Sequence, residues 1–228
     1  MKLRVFGIEN PIEFRQGMVS ILEIENSALF RNVVFCLFKL NRGLNPNFSI
    51  TVEDNNKIEV LSNFNLVTDV FNLDALVSST KLNKYVLSEL EHNLEQHRLI
   101  FDNFTQLKSN FLRILDDISF DLCYNEPELL DFVKDFSFKI NFESEENYLN
   151  NLLNYLKSVK LLDASNLVIF VDLKKYFNEN ELLEIYRQAF VLDLRLLLIE
   201  SSFSAKFLEN EWKLCVDDDL YETIPLEL

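Results

Sequence analysis

Residues 166–200 read NLVIFVDLKKYFNENELLEIYRQAFVLDLRLLLIE, and this stretch constrains the fold more than any other. NLVIFVD and LRLLLIE are short, unbroken apolar runs of strand length. Between them, NENELLEIYRQAFVL has apolar residues at helical spacing and opens on Asn178 with Glu181 three residues later, a capping box. A strand, a helix and a second continuous apolar strand predict a parallel sheet covered on both faces. The first strand ends on Asp172, where a nucleotide-handling fold delivers a carboxylate to phosphate-bound magnesium. The same residue also suits a structural or helix-capping role.

The rest of the chain fits around that unit. KLRVFGI and MVSILEI predict strands separated by the turns ENP and RQG. NSALFRNVVFCLFKL predicts a helix from Ser27 to Leu40, ended by NRGLNP. FSITVED and KIEVLSN flank Asn-Asn, a hairpin signal, and NLVTDVFNLDAL holds a further short apolar run. Residues 79–118 lack Gly and Pro and carry apolar residues at helical spacing, including Leu82, Val86, Leu90, Phe104, Phe111 and Leu115. They predict one or two long amphipathic helices. EPELLDFVKDF predicts a short helix with Pro127 near its start, and SEENYLNNLLNYLKSVKLL another. The expected organisation is a discontinuous α/β core, 1–78 and 162–228, with a helical arm, 79–161, inserted between its halves.

Glycine decides the nucleotide question. The chain has three, Gly7, Gly17 and Gly43, and none from residue 44 onward. Backbone that wraps a phosphate closely needs glycine. The strand-to-helix junction VSILEIENSALFRN, where a phosphate loop belongs, has neither Gly nor Lys. The expected fold is therefore a P-loop-NTPase-like parallel-sheet core without a phosphate loop, and no bound nucleotide is expected. Other chemistries find little support. His92 and His97 are five apart, so they do not share a helix face as a metal pair. There is no GxSxG elbow. Cys36, Cys123 and Cys215 are scattered without CxxC spacing and read as reduced thiols. No apolar run reaches the roughly 18 residues of a membrane span, and MKLRVFGIENP lacks the apolar stretch of a secretory signal. A cytoplasmic protein is expected. The net charge of −15 argues against nucleic-acid binding through the overall field; a local basic lining would be required.

One cluster points to a cation. DDISFDLCYNEPELLD places Asp116, Asp117, Asp121, Asn125, Glu126, Glu128 and Asp131 within one short stretch. Calcium takes several oxygen ligands from such clusters, although the spacing and missing glycine exclude an EF-hand. The alternative is a solvated acidic turn whose last acids favour a helix start.

These pieces together resemble a known family, the small Csn-type spacer-acquisition proteins of type II-A CRISPR–Cas systems. The resemblance rests on NPIEFRQG followed by ILEIENSALF, on NLVTDVFNLDALVSSTK leading into a long helix, on FDLCYNEPELLDFVK, and on LVIFVDLKKYFNENEL. It implies a homotetrameric ring with an NTPase-like core that hydrolyses no nucleotide. It also implies sequence-independent binding of double-stranded DNA ends in the central hole, and calcium that holds the arm in place. Partners would be the other adaptation proteins and the effector nuclease. Carried onto this chain, the calcium pattern selects Asp117, Asp121, Asn125, Glu126 and Asp131. Cys123 and Asn125 stand where other members tend to have acids, which removes charge from a hard-cation site. Basic residues next to the cluster, Lys134 and Lys139, and on the arm helices, Lys108 and Lys157, are the candidate phosphate contacts. Two other readings remain open: a metal-dependent phosphoesterase built on the acid cluster, and a scaffold subunit that has lost DNA binding.

Overall fold

A computed structural model describes residues 1–54, 57–116, 125, 128–142, 147–163, 165–204 and 206–225. The chain forms two compact units. One is Met1–Leu76 with Phe142–Leu228; the other, Val77–Asn141, lies between those halves in sequence.

The first unit is α/β. Its strands are β1 (Lys2–Val5), β2 (Ile12–Glu13), β3 (Val19–Ile24), β4 (Ile50–Asp54), β5 (Lys57–Val60), β6 (Asn65–Val67), β7 (Leu167–Val171), β8 (Arg195–Glu200), β9 (Glu211–Val216) and β10 (Glu222–Thr223). Its helices are α1 (Ser27–Asn41), α5 (Tyr148–Leu162) and α6 (Glu179–Val191). The larger sheet runs β10-β9-β3-β8-β7-β6. All its pairings are parallel except β9 with β10. Successive side chains point to opposite faces of a sheet, and here both faces are covered. On one face, Leu22, Ile24, Leu197, Ile199, Leu214 and Val216 pack with Val33, Cys36 and Leu37 of α1. On the other, Ile21, Val168, Phe170 and Leu198 are equally shielded, and α5 and α6 bring Leu152, Leu156, Leu182 and Ile185. This double cover is why the strands read as unbroken apolar runs.

The smaller sheet, β2-β1-β4-β5, is antiparallel. Leu3, Val5, Ile12 and Ile50 join the α1 cluster from it. β4 and β5 form the hairpin predicted around Asn-Asn, with Asp54 opposite Lys57; the two asparagines lie outside the described residues.

The second unit holds α2 (Ser79–His92), α3 (Leu94–Asp116) and α4 (Leu129–Asp135). Asn93 separates the two long helices. It ends α2, and its carbonyl and side chain then accept from His97 and Gln96 at the start of α3. Phe132 packs against Phe104 and Phe136 at ring separations of 5.9 and 5.2 Å.

The helical unit is shorter than the predicted 79–161. Helix 148–162 belongs to the α/β unit, where Leu152 and Leu156 are fully buried and the helix packs beside α6. Its amphipathic spacing announces a buried face but not which partner buries it. β9 and β10 were not expected from the sequence.

Candidate functional site

In open parallel sheets, ligands approach the carboxyl ends of the strands. At that edge, Glu23 of β3 stands opposite Glu200 of β8 and Cys215 of β9, and Asp172 follows β7. Two residues, Glu25 and Asn26, separate β3 from α1. Asn26 closes this junction: its Oδ1 accepts from the Leu29 N–H at 2.9 Å, and its Nδ2 donates to the Asp218 carbonyl at 2.8 Å. A turn this short has no length for a phosphate cradle.

Asp172 sits in the left-handed region, φ 56°. Its carboxylate accepts from the Ser201 N–H at 2.9 Å and pairs with Lys175 at 2.9 Å. Burial alone would push this carboxyl up, but the bonds from Lys175 and Ser201 outweigh it and hold Asp172 below the usual range. The side chain thus ties the end of β7 to the end of β8. It makes no side-chain cap to the turn Leu173–Lys175.

Beside it lies a buried charge network. Lys213 Nζ contacts Glu23 Oε1 at 3.1 Å and donates to the Ser204 and Lys206 carbonyls at 3.0 and 2.8 Å. Glu211 pairs with Lys174 at 2.8 Å and accepts from the Tyr186 hydroxyl at 2.8 Å and the Leu208 N–H at 3.2 Å. Glu23 also accepts from the Ser204 N–H. The network holds the β8–β9 connection against the sheet through its own backbone groups. Burial pushes the Glu200 carboxyl up to about 7, against the lowering hydrogen bond from the Lys174 N–H, and pushes the Cys215 thiol up to about 12. Apart from Cys215, read as a reduced thiol, none of these residues was singled out in the sequence. The available signal was a carboxylate or ammonium at alternate positions of apolar strands, as in EWKLCV.

The residues expected to bind calcium are only partly described. Asp117, Asp121 and Glu126 lie outside the described residues. Asn125 is exposed. Asp131, at the third position of α4, accepts from the Glu128 N–H at 3.2 Å and pairs with Lys134 at 2.7 Å. The bond from Lys134, followed by that from Glu128, holds its carboxyl below the usual range. Among the described residues, no group of three or more His, Cys, Asp or Glu stands together as a metal cage.

The expected phosphate contacts divide between the units. Lys134 and Lys139 are exposed in the helical unit, and Lys108 is half-buried on α3. Lys157 was expected on the arm but sits on α5 in the α/β unit, 3.3 Å from Asn154 Oδ1.

The family model described as CRISPR-associated protein (Cas_Csn2) matches residues 45–220, more than half of the chain. The chain belongs to the Cas_Csn2 family. Its fold is similar to that in the crystal structure of Stu0660 of Streptococcus thermophilus, at 14% identity and a TM-score of 0.60, over 94% of this chain and 74% of that one. Among curated proteins, none matches. The Cas_Csn2 match begins in the connection between α1 and β4 and runs past β9. The helical unit and most of the buried network therefore lie inside it, while Glu23 and α1 precede it. No helix among the described residues is long and apolar enough to cross a membrane.

Proposed function

We propose that this chain is a non-enzymatic binder of double-stranded DNA ends. It acts in the cytoplasm as a homotetrameric ring during CRISPR spacer acquisition, with the other adaptation proteins and the effector nuclease as partners. One observation carries the reading: membership of a CRISPR-associated family is joined here to an α/β core whose β3–α1 junction is two residues long and closed by Asn26. Such a core supports binding rather than nucleotide turnover. Binding is indifferent to sequence, because ammonium–phosphate contacts carry no base information.

Calcium has a place in this reading. The donor set Asp117, Asp121, Asn125, Glu126 and Asp131 is all oxygen, the chemistry calcium takes, and Asp131 presents an exposed carboxylate. When bound, the ion would supply fixed positive charge to offset these carboxylates. Lys134 is held by Asp131 at 2.7 Å; once that carboxylate is engaged elsewhere, Lys134 is free to meet a phosphate. Calcium occupancy and DNA affinity are coupled through this pair.

A gel shift with linear and closed circular duplex, with and without calcium, tests the proposal. Linear duplex of any sequence should shift, less so as salt rises, and closed circles should not. The chain's −15 charge favours a second reading, a scaffold that has lost DNA binding. Failure of linear duplex to shift at low salt, in calcium, with a tetramer confirmed by light scattering, would put that reading first.

A further inference from the structure

We propose that the outer face of α1 is a docking surface for an acidic segment of a partner protein, one that carries apolar side chains between its carboxylates. The starting point is charge. The chain holds 37 acids, yet residues 26–52 contain none while carrying Arg31, Lys39 and Arg42. Arg31, Phe35, Phe38 and Arg42 follow one another at spacings of four, three and four, so they line one face of the helix. That face points away from the core, which takes Val33, Cys36 and Leu37. Phe35 is 54% exposed, and Leu44, just past the helix, 53%.

The cations are organised. Lys39 Nζ lies 4.9 Å above the Phe35 ring, and the Arg42 guanidinium 4.1 Å above Phe38. Elsewhere, Arg4, Arg15 and Arg187 pair with acids; Arg31, Lys39 and Arg42 form no ion pair with a described residue. A guanidinium stacked on a ring keeps its in-plane N–H donors open to a carboxylate. Exposed Phe with Arg is the composition of an interface centre.

Two other occupants fit less well. Bases of a single strand need open aromatic faces, and here the cations already cover one face of each ring. A second copy docked symmetrically would bring this face against itself, three cations against three. An acidic segment with apolar side chains satisfies both the charges and the phenyl groups. This inference is independent of DNA binding and concerns a different surface.

The test uses the full chain and fluorescence anisotropy. The probe is a labelled helical peptide of about fifteen residues, with Leu along one stripe and Glu flanking it; its controls are the same peptide with Lys for Glu, and oligo-dT. The Glu peptide should bind and the Lys peptide should not. Phe35→Ala with Phe38→Ala should weaken binding at least about tenfold. Arg31→Glu with Arg42→Glu should reverse the preference to the Lys peptide. Both double variants should keep the wild-type mass, melting temperature and linear-duplex shift. Equal binding of the two peptides, tighter binding of oligo-dT, or a fall in oligomer mass in either variant would overturn the proposal. In each case the duplex gel shift reports separately on the DNA reading.

Discussion

Lys213 and Glu23 meet at 3.1 Å with both side chains all but sealed from solvent. A buried ion pair adds little over a well-packed apolar pair, but removing one partner strands the other charge. Lys213→Met should therefore destabilise the chain by about 3–5 kcal/mol, read as a lower urea midpoint. Adding Glu23→Gln should recover part of that loss. Lys213 also holds the Ser204 and Lys206 carbonyls, so the single variant should be cut by protease faster between β8 and β9. Strictly additive losses in the double variant would show that the pair is not coupled.

Glu200 makes stability depend on pH. Its folded-state pKa is raised from 4.5 to about 7 by burial, so the folded chain binds the proton more tightly than the unfolded one. Its contribution is complete below about 4.5 and is lost as pH rises through about 7. The span is roughly 3 kcal/mol at most. Glu200→Gln keeps an acceptor for the Lys174 N–H. It should flatten the stability profile between those limits and raise the melting temperature at pH 8. An unchanged profile would assign the effect to other groups.

Asn26 caps α1 and also donates to the Asp218 carbonyl. Asn26→Ala should cost about 1 kcal/mol, a fall of roughly 2–4 °C in melting temperature for a chain of this size. Asn26→Asp keeps the cap and loses the donor, so it should fall between. Equal melting temperatures for Asp and Ala would show that the donor carries the effect.

Asp131→Asn keeps an acceptor for the Glu128 N–H and releases Lys134. Under the proposed function it should raise duplex affinity without calcium and blunt the response to calcium. Lys134→Glu with Lys139→Glu should lower affinity on all sequences and flatten its salt dependence. Filter binding across a salt series measures both. Full calcium stimulation in Asp131→Asn would separate the metal from this pair.

The parts of the fold legible in sequence are those whose signals are local. Asn178 and Glu181 do bond reciprocally at the start of α6, and β7 and β8 stand where their apolar runs lie. Residues 79–118 left one helix or two open, and the break falls at Asn93, which both ends α2 and accepts from the Gln96 N–H at the start of α3. β9 carries the alternation of a strand with one wet face, Glu211 and Lys213 against Trp212 and Leu214, yet all six of its residues are buried. Each charge finds its counter-charge in distant residues, Lys174 and Glu23. The placement of α5 is likewise a tertiary fact. Of the expected calcium set, Asp131 could be read as an acid near a helix start; its pairing with Lys134 needed the formed turn.

The larger sheet ends at both sides in its shortest strands, β6 of three residues and β10 of two. A foreign strand laid along either border would find few backbone groups to bond. Growth of this sheet by strand addition is therefore poorly templated, whether by a swapped copy or a fibril. An assembly built on the borders of this sheet must therefore be held by side chains, where a single residue can set the choice of neighbour.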